Sequence, residues 1–194
     1  MSLKITLVGK GNVGKALSEG LQRAGHTIRF ASRDPDQPVG EAVAWGEIIF
    51  LAVPWRAHQE IAPAIGKPLA GKTVIDVSNA LTPSYELALG FTTSGAEELQ
   101  KLLPEAKVIK AFNTVFAQTM STGRVKGERL TVFVAGDDSS GKNQVLGLAR
   151  EIGFDAVDAG PLKAARYLEP LGMLNISLGY GLKMGTVMGL KLVR

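Results

Sequence analysis

Ile5-Thr6-Leu7-Val8-Gly9-Lys10-Gly11-Asn12-Val13-Gly14 runs an apolar stretch straight into three glycines spaced Gly-x-Gly-x-x-Gly, and a helix-period segment follows at once. In that spacing the first glycine permits a tight turn, the second lets a pyrophosphate approach the backbone, and the third lets helix pack on strand. The helix N-terminus then offers unpaired N–H groups and a partial positive charge to the phosphates. Glycines alone also mark ordinary turns. With a strand before, a helix after and a second strand at the right distance, the pattern predicts a dinucleotide site. Gly9, Lys10, Gly11, Asn12, Val13 and Gly14 form the expected cradle, with Lys10 either on a phosphate or pointing into water.

The second strand, Thr27-Ile28-Arg29-Phe30-Ala31, ends on Ser32-Arg33, where an NAD site usually carries an acidic residue for the ribose hydroxyls. A hydroxyl followed by a planar, permanently charged guanidinium suits a 2′-phosphate. Hydrogen bonds to charged groups are worth about 1.5–3 kcal/mol each, so Ser32 and Arg33 together would favour NADP over NAD by about two orders of magnitude. The competing reading makes Arg33 a solvated loop cation and Asp34 the ribose ligand. Asp34 falls two places late, however, and Pro35 stiffens the chain away from the strand.

Outward from this unit, Val13, Ala16, Leu17, Leu21 and Ala24 recur at helical steps and Gly25 ends the helix. The segment from Pro35 to Gly46 holds two prolines and predicts a loop or a single helical turn. Glu47–Val53 is a continuous apolar run, as in a parallel strand buried on both faces, and Trp55 to Ile65 follows as a helix. Further strands are predicted at Thr73–Val77, Lys107–Phe112, Leu130–Ala135 and Phe154–Val157. Ser94 with Glu97 has capping-box spacing before one helix, and Asp137 to Ser139 can cap another. Strands alternating with helices predict an α/β, Rossmann-type, doubly wound and mainly parallel sheet over 1–160. A C-terminal helical segment, 161–194, packs on the same domain. The strand ends Gly9, Ser32, Val53-Pro54-Trp55, Ser78-Asn79-Ala80 and Asn113-Thr114 should then share one crevice, and Ala52 is a further candidate cofactor contact.

The 194 residues, 45% hydrophobic, suffice for one sizeable core, and the absence of cysteine removes disulfides, thiolate nucleophiles and cysteine metal sites. Met1-Ser2-Leu3-Lys4 passes directly into a strand without a signal-peptide pattern, and Glu169, Pro170 and Lys183 interrupt the apolar C-terminal stretch. The expectation is a cytoplasmic protein with no membrane partner. A net charge of +4 is spread along the chain; Arg124, Lys126 and Arg129, bunched beside Lys107 and Lys110, are three loop charges that read as a solvated face rather than a nucleic-acid module. The positive field favours anionic ligands such as a phosphorylated dinucleotide.

Taken together, Gly9–Gly14, Ser32-Arg33, Val53-Pro54-Trp55, Asp76-Val77-Ser78-Asn79, Lys110-Ala111-Phe112-Asn113-Thr114, Ala135-Gly136-Asp137-Asp138 and Asp158-Ala159-Gly160-Pro161-Leu162 resemble the NADPH-dependent deazaflavin (coenzyme F-420) reductase family. The set is also similar to the oxidoreductase domain of the six-transmembrane metalloreductases. The resemblance implies NADP(H) binding, hydride exchange with the deazaflavin coenzyme F-420 or a flavin, and a homodimer, with the C-terminal segment the candidate interface. It also implies that Val53, Pro54, Asn79 and Ala111 line the ribose and nicotinamide. Asn113 departs from the histidine of the deazaflavin enzymes and matches the metalloreductase-type relatives.

No catalytic residue and no metal ligand set is predicted, because two redox cofactors carry their own chemistry and the fold supplies orientation. His58 reads as a surface histidine and His26 as structural. Trp55 is either a wall over the nicotinamide or an anchor for its helix, and Asn79 either a cofactor ligand or a cap. Met173, Tyr180, Met184 and Met188 suit an acceptor wall, a dimer face or plain packing. Alternatives to the deazaflavin or flavin reductase are a reductase of a small carbonyl, an imine or a metal chelate, and an NADP(H)-sensing protein without turnover.

Overall fold

The computed structural model describes residues 2–32 and 38–194. From the glycine turn outward, β1 (Lys4–Val8) enters α1 (Asn12–Arg23), and β2 (Thr27–Ala31) returns beside it. Next come α2 (Val39–Trp45), β3 (Ile48–Leu51), α3 (His58–Ile65), β4 (Thr73–Asp76), α4 (Gly95–Leu102) and β5 (Lys107–Lys110). A one-turn α5 (Ala117–Met120) and a hairpin of β6 (Arg124–Val125) and β7 (Glu128–Arg129) precede β8 (Thr131–Gly136), α6 (Ser139–Ile152), β9 (Asp155–Asp158) and α7 (Ala165–Ile176).

Among the described residues the main sheet runs β2-β1-β3-β4-β5-β8-β9. Every neighbouring pair is parallel except β5 and β8, which meet antiparallel at Ile109 and Lys110. A parallel return needs a crossover, usually a helix. Between β5 and β8 the chain has only α5 and the hairpin, so it turns back instead. Strand alternation splits the core in two. Ile5, Leu7, Ile48, Phe50, Ile75 and Ile109 face one side, with Leu17 and Leu21 of α1 and Val145 and Ile152 of α6. Val8, Ile49, Leu51, Val74 and Val108 face the other, with Val43 of α2, Ile65 of α3 and Leu99 of α4.

Several boundaries move for physical reasons. The segment before β3 forms a two-turn helix, longer than the single turn the prolines suggested, because Pro35 and Pro38 both precede its first residue, where a missing N–H costs nothing. β5 stops at Lys110 rather than Phe112, whose φ of 64° leaves the strand region. The Ser94 cap forms as predicted, its Oγ accepting from Glu97 N at 3.2 Å, and Asp138 accepts from Gly141 N at 2.7 Å. After α7 the chain lies along β8, with Thr131 N donating to Leu190 O at 2.8 Å and Leu192 N to Thr131 Oγ1 at 2.9 Å.

Candidate active site

β1 is followed in the chain by β2 on one side, while β3 lies on the other, so the strand order reverses between β1 and β3. A crevice opens at such a point above the carboxyl ends of the strands. Here it is a cleft of about 460 Å³ lined by Gly11, Asn12 and Val13 from the glycine turn, Ala52 to Arg56 after β3, and Val77 to Asn79 after β4. Leu81, Thr82, Pro83 and Tyr85 close its outer end.

The three glycines have different duties. Gly9 has φ +112°, and a Cβ there would overlap the Ala52 carbonyl oxygen; its N–H donates to Ala31 O at 2.9 Å. A Cβ on Gly14 would overlap the Gly9 carbonyl oxygen, so Gly14 seats α1 on the turn. Gly11 has nothing within 4 Å of where its Cβ would be, and it heads α1 without any side-chain cap. Open space above uncapped helix N–H groups is the arrangement a phosphate requires.

Of the other predicted site residues, Asn12, Val13, Ala52, Val53, Pro54, Trp55 and Asn79 line this cleft. Lys10 is exposed outside it, its ammonium 5.9 Å from the centre of the Phe30 ring on β2. Ser32 follows β2, whose last residue Ala31 pairs with Val8, so it stands beside Gly9 at the strand ends. Arg33 lies outside the described residues. Ala111 and Asn113 are buried and do not line the cleft. Trp55 lines the cleft and also packs close to the start of α4, where a Cβ on Gly95 would come within 2.9 Å of its Cδ1.

Beneath the cleft sits an ionic cluster that the sequence concealed. Lys110, on the predicted fifth strand, is completely buried. Its Nζ donates to Asp76 Oδ2 at 2.8 Å, Ser78 O at 2.7 Å and Glu169 Oε1 at 2.9 Å. Asp76 Oδ1 accepts from Ser78 N and Ser78 Oγ, and Glu169 accepts from Gly95 N and Ala96 N at the start of α4. Burial by itself pushes the Asp76 carboxyl up, but the Lys110 charge beside it wins and holds it below its ordinary range. Burial likewise penalises the Lys110 ammonium, and Asp76 and Glu169 together hold it above its ordinary value.

His58 also differs from expectation, being 2% exposed rather than on the surface. It opens α3 with its Nε2 3.9 Å from Asp76 Oδ1, and neither ring nitrogen has a hydrogen-bond partner. Burial lowers its pKa, against the pull of Asp76. His26 is structural as expected, accepting from Leu3 N at 3.3 Å and pairing with Glu151 at 2.8 Å. Next to the cleft, sharing Tyr85, lies a mainly apolar hollow of about 680 Å³ lined by Met173, Ile176, Ser177, Tyr180 and Gly181. The residues 81–85 were missed in the sequence; only the preceding Ser78-Asn79 strand end pointed towards them.

The family model described as NADP oxidoreductase coenzyme F420-dependent matches residues 4–39 and 37–80. Metalloreductase STEAP3 of Rattus norvegicus is 34% identical over 185 residues, covering 88% of this chain and 37% of that protein. The chain thus spans about 37% of the length of the curated relatives it matches. A crystal structure from Arthrobacter sp. FB24, provisionally named an F420-dependent NADP-reductase, superimposes with TM-score 0.91 at 28% identity and covers 100% of both chains. The hypothetical protein SMa0349 of Sinorhizobium meliloti follows with TM-score 0.72 at 26% identity, over 85% of this chain and 88% of that one. The chain is thus similar to the NADP oxidoreductase, coenzyme F420-dependent, family over its N-terminal part, to the metalloreductases over 88% of its own length, and to the Arthrobacter structure over its whole length.

Proposed function

We propose that this oxidoreductase binds NADP(H) across the strand-end cleft and exchanges a hydride with a deazaflavin or flavin seated against Tyr85 and the C-terminal segment. The observation that carries the reading is the open, uncapped glycine cradle continuous with a cleft that ends beside an apolar hollow. NADPH when bound supplies a hydride, a proton with two electrons, from its dihydronicotinamide. Gly11 and the first turn of α1 hold the pyrophosphate, with Gly9 and Gly14 shaping the turn. Ser32 and Arg33 take the 2′-phosphate. Val53, Pro54 and Trp55 wall the ribose and nicotinamide, and Asn79 meets the nicotinamide from the β4 side. Ala111 and Asn113 support that wall from below. Tyr85, Met173, Ile176 and Tyr180 offer a hollow with aromatic sides, suited to a flat tricyclic acceptor. The protein acts in the cytoplasm.

The 34% identity to a metalloreductase favours a second acceptor class, a metal chelate. Mixing protein and NADPH with coenzyme F-420, flavin mononucleotide or a ferric chelate, and following dihydronicotinamide absorbance, tests the reading. Oxidation fastest with a deazaflavin or flavin supports it; faster oxidation with the chelate supports the metalloreductase-like reaction. Persistence of bound NADPH with every acceptor favours a sensor. Arg33→Ala should weaken NADPH by about 1.5–3 kcal/mol and leave NADH nearly unchanged. Equal losses for the two cofactors would remove Arg33 from the 2′-phosphate site.

A further inference from the structure

Asn113 grips the Asn79 amide at both ends. Its Nδ2 donates to Asn79 Oδ1 at 2.9 Å, and Asn79 Nδ2 donates back to the Asn113 backbone oxygen at 3.0 Å. This reciprocity fixes which end is which. Turning the Asn79 amide over would set nitrogen against nitrogen and oxygen against oxygen. Each end of the Asn79 amide keeps one valence, an N–H and a lone pair, on a residue that lines the cleft.

The grip is itself held by α7. Asn113 is 6% exposed, and its Nδ2 also donates to Leu168 O at 2.7 Å. One turn further along, a Cβ on Gly172 would come within 2.6 Å of Asn79 Oδ1 and 2.9 Å of Asn113 O. Between these two contacts, Glu169 binds Lys110, which also holds the carbonyl of Ser78, the residue before Asn79. Two turns of α7 therefore bear on one amide at the cleft.

We infer that Asn113 is a positioning residue: it presents the Asn79 amide to the nicotinamide carboxamide without itself touching the cofactor, and α7 sets that geometry through Leu168 and Gly172. The chemistry is complementary. A carboxamide offers one carbonyl and one NH₂, and Asn79 retains one N–H and one lone pair to answer them. The inference rests on the NADP(H) reading.

Equilibrium titrations of wild type and Asn113→Ala with NADPH and with adenosine 2′,5′-bisphosphate, which has the phosphorylated adenosine but no nicotinamide, test it. Asn113→Ala should bind NADPH about fivefold to tenfold more weakly while its affinity for the bisphosphate stays within about twofold. Gly172→Ala presses on the same amide without deleting a hydrogen-bonding group and should give the same selective loss; it carries the test if Asn113→Ala does not fold. Equal losses for both ligands, or no loss for NADPH, would overturn the positioning role. Failure of wild type to bind either ligand would overturn the NADP(H) reading and the positioning role with it. Wild type binding both, with Asn113→Ala unchanged, would overturn the positioning role alone.

Discussion

Lys110 joins parts of the chain that are 34 and 59 residues away, Asp76 and Glu169, in a place with no access to water. Removing one partner from such a cluster strands the others as uncompensated buried charges, which typically costs about 3–5 kcal/mol. Lys110→Met should therefore lower the unfolding free energy by about that amount in denaturant titration; a loss under about 1 kcal/mol would show that the carboxylates do not depend on it. The same cluster gives pH dependence a definite sign. Asp76 lies below its ordinary value of 3.8, so its contribution is full above that pH and is lost on further acidification through its folded pKa. Lys110 lies above its ordinary 10.5, so its contribution is full below that pH and is lost as alkalinity rises through its folded pKa. His58 acts first on the acid side. Its folded pKa lies below 6.5, so the unfolded chain takes up the proton more readily and stability falls as pH drops below 6.5 towards the folded value. The slope from this one group is at most about 1.4 kcal/mol per pH unit. His58→Leu should flatten that part of the stability profile, and an unchanged slope would contradict the assignment.

At the level of elements, what the sequence revealed and concealed divides by distance along the chain. The Gly9–Gly14 turn, the apolar runs of β1 and β3 and the Ser94 and Asp138 caps are local patterns, and they fold as their neighbours dictate. The Asp76–Lys110–Glu169 cluster is not local. Lysine in a short strand gives no sign that the next strand and a helix from the chain end will supply carboxylates. His58 was misread for a related reason, since Gln59 and Glu60 beside it are exposed and only the packing of α3 onto β4 turns the imidazole inward. The antiparallel β8 was equally hidden, because strand direction depends on the connection rather than on the strand. Gly14→Ala gives a prediction at this scale. Its Cβ would meet the Gly9 carbonyl inside the β1–α1 turn, where neither backbone can yield, so the variant should lose about 1–3 kcal/mol of stability in thermal or denaturant unfolding. Wild-type stability would contradict tight seating of α1.

Across the whole molecule, the mainly parallel β-sheet sets the glycine turn, Trp55 and the Asn79 amide around one cleft, and α7 brings the C-terminal part of the chain to the hollow beside it. Among the described residues no helix is long and apolar enough to cross a membrane. Tyr167, Leu174, Tyr180 and Leu182 nevertheless leave a row of apolar side chains 54–70% exposed on and just after α7. A homodimer through this segment is one proposal for what covers them: sedimentation of wild type and Leu174→Glu should then show a dimer and a weakened dimer; a monomeric wild type would rule that cover out. The proposed function stands or falls with the open glycine turn as the seat of the NADP(H) phosphates. Titration of wild type and Gly11→Ala with NADPH is the sharpest test, because a methyl group at residue 11 meets no protein atom within 4 Å and would stand over the uncapped start of α1. Gly11→Ala should unfold within about 1 kcal/mol of wild type but bind NADPH at least about tenfold more weakly; equal affinity in the two proteins would rule out phosphate binding at this turn.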